Sequence, residues 1–329
     1  MKSPSKRRSG ITARVRAARS WASRYLLGRS ADRVQTGVGE RVILVLSGGG
    51  LRGLVHVGAW RALLERGLRP DVIVGTSIGA LVGAAAASGA DWTFVERAAR
   101  SVVRKEIAAL DRRVLLLNGV RRPALFRGDV LRQYMERLIP ANTFQELEIP
   151  LQVNAVNLGT GEMKWFGTPV GEEEVDPTAN LLDVVWASSA VPTFYAPVEI
   201  GGSFYIDGGI LDTFALTRAA ALGATWILAV DATTEGVGDD PVDLIDEGML
   251  AINERVFGIV SGARRRAVLE RWSGPPLTLV RPAATHVPAF DFEFNDYLVD
   301  EGHRAMNEAL STPEANERIG RAAPALKAS

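Results

Sequence analysis

A serine set between two glycines in Gly75-Thr76-Ser77-Ile78-Gly79 is the first residue of this sequence whose setting suggests chemistry. Gly75 and Gly79 permit a tight turn that lifts the Ser77 hydroxyl clear of its neighbours, as a nucleophile requires. A second stretch, Gly48-Gly49-Gly50-Leu51-Arg52-Gly53, offers backbone N–H groups unobstructed by side chains, a cradle for a negatively charged oxygen. A third, Asp207-Gly208-Gly209, puts a carboxylate at the head of a turn, where it can accept a proton. Nucleophile, oxyanion donors and base are the components of acyl transfer. Each alone has a plainer reading, as a small-residue turn, a phosphate loop or an Asp-capped bend.

The elements around these residues must bring them together. Arg41 to Leu46 is a short continuous apolar run of the kind that forms a strand buried on both faces, and helical spacing follows the glycine loop from Leu51 to Arg66. Val72 to Val74 is a second such run, followed at once by the Ser77 turn and an Ala-rich helix to about Ser88. This βαβα order predicts a largely parallel sheet with covering helices and ligand sites at the carboxyl ends of the strands. Helices are expected over residues 91–140 and from Leu181, and strands over Leu151–Asn157, Phe204–Ile206 and Trp226–Val230, with Met163–Phe166 pairing nearby. Residues 232–241 read as a Gly/Asp-rich loop, and the remainder as helical except for the apolar segment Leu277–Val280.

Two other readings of the glycines compete. The loop at Gly48 also fits the dinucleotide pattern GxGxxG, with Asp71 placed 18 residues after Gly53. A ribose-binding acid ends the second strand, whereas Asp71 precedes Val72, so the nucleotide reading fails on position. Val72 to Ala90 is a run of 19 residues without a charge, with Gly75, Gly79 and Gly83 at GxxxG spacing. Much of it is Ala, Gly, Ser and Thr, and its first part is a strand before a turn, which argues against a membrane span.

The three motifs together resemble the patatin-like phospholipase family: GGGxRG at Gly48 to Gly53, GTSxGA at Gly75 to Ala80 and DGG at Asp207 to Gly209. Phe144 to Pro150, Ala187 to Pro197 and Asp291-Phe292 before Gly302 are similar as well, so the likeness runs from about Arg41 to Leu310. The resemblance implies a three-layer α/β/α sandwich with a mostly parallel central sheet. It also implies acyl-ester hydrolysis on lipids (phospholipid, lysophospholipid or a related ester), with Ser77 as nucleophile, Asp207 as sole general base and the Gly48, Gly49 and Gly50 backbone as oxyanion hole. Arg52, Gly53, Gly75, Gly79, Gly208 and Gly209 belong to the supporting motifs. Ala215 departs from the pattern, standing where many relatives have proline.

The rival arrangement is an α/β-hydrolase triad of Ser77, Asp207 and either His286 or His303. His56, in the helix after the glycine loop, reads as structural. A histidine base would titrate near ~6.5 and an aspartate base lower unless strongly buried. A rival of another class is a catalytically silent lipid-binding protein with the same fold.

Composition narrows the rest. With no cysteine in 329 residues, thiol nucleophiles, disulfides and Cys-ligated metals are excluded, and three scattered histidines make a metal cage improbable; neither metal nor cofactor is expected. Zero formal net charge conceals an asymmetry: residues 1–40 carry ten Lys/Arg against Asp32 and Glu40, a net of +8. Residues 1–40 therefore read as a basic tail and residues 41–310 as the hydrolase domain, with 311–329 as a C-terminal tail. The basic tail, through residues 1–36, has two readings, a passive solvated leader or a contact for an anionic membrane surface; nucleic acid is not expected. No apolar core of signal-peptide length follows the charges, so secretion is not expected and the expected location is cytoplasmic, either free or in peripheral contact with a membrane.

Overall fold

A computed structural model of the chain describes residues 40–115, 121–233, 241–288 and 291–322. The basic segment, the tip of the Gly/Asp-rich loop and residues 323–329 lie outside them.

Val42–Leu46 (β1) is apolar at every position and buried throughout. Its side chains alternate between two faces, so a strand of this composition needs a hydrophobic layer on each side. The first face of β1 (Val42, Leu44, Leu46) packs with residues of Val55–Glu65 (α1), Ile78–Ala87 (α2), Leu181–Ser188 (α6) and Asn295–Leu310 (α10). The second face (Ile43, Val45) packs with Leu216 and Ala219 of Leu216–Ala221 (α7) and with Val268 and Leu269 at the end of the long helix Met249–Glu270 (α9). The other helices are Trp92–Ser101 (α3), Arg104–Ile107 (α4), Gly128–Leu138 (α5), Pro241–Glu247 (α8) and Pro313–Ala322 (α11). Residues 313–322, within the expected C-terminal tail, are thus helical; Arg318 and Arg321 each reach Glu40 Oε1 at 3.0 Å.

The sheet contains Val72–Gly75 (β2), Leu151–Asn157 (β3), Met163–Gly167 (β4), Val198–Ile200 (β5), Ser203–Asp207 (β6), Trp226–Val230 (β7) and Leu277–Val280 (β8). Its order is β5-β6-β3-β2-β1-β7-β8, with β4 on β3. Strands β3, β2, β1, β7 and β8 pair in parallel, while β4 and β6 run antiparallel to β3. The architecture is therefore an α/β sandwich around a mixed, mostly parallel sheet. The apolar segment at Leu277 is the edge strand β8, and β5 is a strand that its sequence does not announce.

One register decides the site. Strand β4 occupies one edge of β3 from Gln152 to Val156. Strand β2, paired at Leu151–Val153, and β6, paired at Ala155–Asn157, must then share the other edge. They run in opposite directions, so their carboxyl ends meet.

Among the described residues, no helix is long and apolar enough to cross a membrane. The uncharged run from Val72 is divided into β2, the serine turn and α2. At Gly79 an added Cβ would lie 2.2 Å from the Leu46 carbonyl oxygen, so the small residue lets α2 start directly against β1.

Candidate active site

Ser77 leaves β2 and caps α2 with φ 56° and ψ −123°, a backbone conformation that L-residues rarely adopt. Its N–H donates to Ser188 Oγ at 2.9 Å, holding the strained turn from α6. Its own hydroxyl points across the strand ends and donates to Asp207 Oδ2 at 2.7 Å. The other carboxylate oxygen, Oδ1, accepts from Gly209 N–H at 2.7 Å, which fixes the carboxylate plane. Asp207 is 4 % exposed and Ser77 8 %. Burial raises the Asp207 pKa to about 7, outweighing the opposing hydrogen bonds from Ser77 and Gly209.

Ser77 and Asp207 open on a cavity of about 120 Å³ whose wall includes Gly48, Gly49, Gly50, Arg52, Gly209 and Thr213. The glycine loop is thus brought beside the Ser77–Asp207 pair. Its three amides are not equivalent: Gly48 N–H donates to the Thr213 carbonyl at 3.0 Å. For Gly49 and Gly50 N–H no acceptor is found among the described residues. Gly50 opens a 3₁₀ turn, Gly50–Leu54, that runs into α1. Gly53 lies in that turn under Ile78, Gly75 ends β2, and Gly208 starts the 3₁₀ turn after β6. Arg52 does not point at the serine; its guanidinium donates to the Val287 carbonyl at 2.9 Å and pairs with Glu254 at 3.3 Å.

The histidines lie elsewhere. His56 is fully buried with Nε2 2.9 Å from the Ser47 carbonyl oxygen, and burial lowers its pKa to about 4. His286 is exposed, its ring 5.4 Å from that of Tyr297. His303 contacts Glu65 at 2.6 Å. None of the three lines the cavity.

Several wall residues carry no signal in the sequence. Glu254, Phe257, Gly258 and Ser261 come from one face of α9, and Val191 and Phe194 from the segment after α6. Thr233 completes the wall and is tied to α9 by a buried cluster: Arg265 donates to Asp231 Oδ2 at 3.0 Å and bonds the Thr233 hydroxyl, while Thr233 N–H reaches Asp231 Oδ1 at 3.1 Å. Helix α9 lies far from the motifs in sequence, and although its pocket residues recur at helical spacing, a face of Glu, Phe, Gly and Ser names no particular chemistry. Ser188 could have been marked by the Ser-Ser pair of Ala187–Pro197, though nothing in that pair specifies its acceptor role.

A mostly parallel α/β sandwich that presents a serine and an aspartate from converging strand ends beside a glycine loop defines the class of the protein. The patatin-like phospholipase family model matches residues 44–220, more than half of the chain, and the chain belongs to that family. An uncharacterized NTE family protein of Mycobacterium tuberculosis is 29% identical over 209 residues, covering 64% of this chain and 54% of its own. The human patatin-like phospholipase domain-containing protein 6 is 25% identical over 203 residues, 61% of this chain and 14% of its own. The chain thus spans about half, or much less, of the length of these curated relatives. Among solved structures, VipD from Legionella pneumophila is similar with a TM-score of 0.45 and 16% identity, covering 88% of this chain and 72% of that one.

Proposed function

We propose that the protein is a serine acyl-ester hydrolase acting on lipid esters such as phospholipids or lysophospholipids, through a Ser77–Asp207 dyad. The observation that carries this reading is the 2.7 Å bond from Ser77 Oγ to Asp207 Oδ2 in a pocket walled by the glycine loop. Ser77 Oγ attacks the acyl carbonyl carbon while its proton passes to Asp207 Oδ2. The carbonyl oxygen gains negative charge and is met by the N–H groups of Gly49 and Gly50. Collapse breaks the ester C–O bond, and the leaving alcohol takes the proton from Asp207. Water then attacks the acyl-serine with Asp207 again accepting a proton, which releases the fatty acid and restores Ser77.

A carboxylate with its ordinary pKa is a poor acceptor for a serine proton; burial that raises the value to about 7 narrows the gap. Oxyanion donors in such sites contribute ~3 to 4 kcal/mol each to transition-state stabilisation, so the loop amides do much of the catalysis. The test is labelling with a fluorophosphonate ester, followed by assays on short-chain esters, lysophospholipids and phospholipids. Labelling of the parent and none of Ser77→Ala supports the assignment. A folded parent that binds lipid vesicles but neither labels nor hydrolyses any ester would establish the silent lipid-binding reading instead.

A further inference from the structure

A Gly-Gly peptide is among the least restrained units a chain can contain, yet the proposed oxyanion donors sit on one. The Gly48–Gly49 peptide must be held from outside. We infer that Ser47 is a positioning residue for catalysis, its hydroxyl fixing the orientation of the Gly48–Gly49 peptide so that Gly49 N–H faces the reacting carbonyl oxygen. The inference rests on the acyl-transfer reading of Ser77 and extends it to a residue outside the three motifs.

Ser47 follows β1 directly, is fully buried, and continues the β1–β7 pairing with its N–H 3.2 Å from the Val230 carbonyl oxygen. Its Oγ has two partners. Ala232 N–H donates to it at 2.8 Å, and the Gly48 carbonyl oxygen lies 2.8 Å away. An amide N–H can only donate and a hydroxyl carries one proton, so that proton is directed to the Gly48 carbonyl. The Ser47 carbonyl is itself held by His56 Nε2 at 2.9 Å, which must be the protonated ring nitrogen because a carbonyl only accepts.

The consequence follows from peptide geometry. In a trans peptide the C=O and the following N–H point in opposite directions, and no cis peptide occurs among the described residues. A Gly48 carbonyl drawn toward Ser47 turns Gly49 N–H away from it, and Gly49 forms part of the cavity wall with Ser77. The N–H of Gly48 is anchored by its bond to the Thr213 carbonyl, so Gly48 is held through both its N–H and its carbonyl oxygen. Gly49 also rests on Ala232, the residue whose N–H the same hydroxyl accepts: a Cβ on Gly49 would lie 2.5 Å from the Ala232 carbonyl oxygen.

Without the Ser47 hydroxyl, the Gly48 carbonyl and the Ala232 N–H lose their partner in a buried setting. Rotation of the Gly48–Gly49 peptide would then aim a carbonyl oxygen at the point where negative charge develops. The damage should fall on turnover and spare substrate binding.

The experiment compares Ser47→Ala, Ser47→Cys and the parent on p-nitrophenyl butyrate, with rates expressed per fluorophosphonate-labelled Ser77. Partial unfolding then lowers the labelling amplitude and leaves the rate per site untouched. Ser47→Ala should lose kcat by about ten- to a hundred-fold with KM nearly unchanged, and bind a trifluoromethyl ketone more weakly by a similar factor. Ser47→Cys, similar in volume but a weak donor, should fall between Ser47→Ala and the parent. Parent-like kcat per site in both variants, or losses shared equally by kcat and the affinity for a non-reacting substrate analogue, would overturn the inference alone. A folded parent that does not label at Ser77 would overturn the acyl-transfer reading and this inference with it.

Discussion

Gly75 and Asp207 end two strands that approach each other along one edge of β3, Gly75 opposite Val153 and Asp207 opposite Ala155. The serine turn that begins after Gly75 therefore meets the carboxylate head-on, although 130 residues separate Ser77 from Asp207.

The first expectation concerns the base. Asp207→Asn keeps an acceptor for Gly209 and a group facing Ser77, but it cannot take the serine proton, so nearly all ester hydrolysis should disappear. His286→Ala and His303→Ala should retain most of it, because neither ring reaches the cavity. Collapse of activity in either histidine variant, with the protein folded, would return the chain to the triad class.

The pH profile follows from the same carboxylate. Asp207 must be ionised to accept a proton, so activity should rise with pH through about 7. The expectation that an aspartate base titrates below a histidine gives way here: burial brings the two together, and only the variants distinguish them. Stability runs the other way. Between the ordinary value of 3.8 and about 7 the folded state holds a proton that the unfolded chain releases, so this group's contribution to stability falls as pH rises. Melting curves of Asp207→Asn and the parent should diverge from pH 5 to pH 8, with the Asn variant the more stable at the higher pH. Parallel curves would remove the claim of a raised pKa.

Strain at the nucleophile can be measured by two substitutions that both remove the hydroxyl. Glycine ordinarily costs about 0.5–1 kcal/mol relative to alanine. At φ 56° and ψ −123° the order should invert, with Ser77→Gly more stable than Ser77→Ala by about 1 kcal/mol in urea unfolding and both inactive. An alanine variant at least as stable as the glycine variant would mean that the turn stores no strain.

In the glycine loop, neighbouring positions should respond differently. A Cβ at Gly48 meets Ser77 Cβ at 3.6 Å, an ordinary contact, whereas one at Gly49 lies 2.5 Å from a backbone oxygen. Gly48→Ala should melt near the parent temperature and Gly49→Ala well below it. A larger substitution, Gly49→Val, should also lose turnover, a loss to be measured on folded protein because the same backbone oxygen obstructs the side chain.

Removal of residues 1–36 should spare hydrolysis of soluble p-nitrophenyl esters and weaken binding to anionic vesicles, since residues 1–40 carry a net charge of +8. Co-sedimentation at low and high salt gives the answer. Equal binding by the truncated protein at both would leave the tail without a membrane role.

What could be read from the sequence was local in origin. Apolar runs long enough only for strands, glycine clusters that follow them at once and helical spacing thereafter located β1, β2, α1 and α2, because these signals lie in adjacent residues. The motifs nominated Ser77, Asp207 and Gly48 to Gly50 on the same footing. Other features depended on distant chain segments. No pattern near Ser203 announces that β6 runs antiparallel to β3 on the edge β2 uses, yet that register is what puts Asp207 within 2.7 Å of Ser77. The raised pKa of Asp207 arises from burial, which exists only after the layers have packed. The bond from Gly48 to Thr213, the wall contributed by α9 and the grip of Ser47 on the loop likewise join residues through packing. Sequence patterns record what each short segment prefers for itself, and a catalytic geometry is set by where independent segments come to rest against one another.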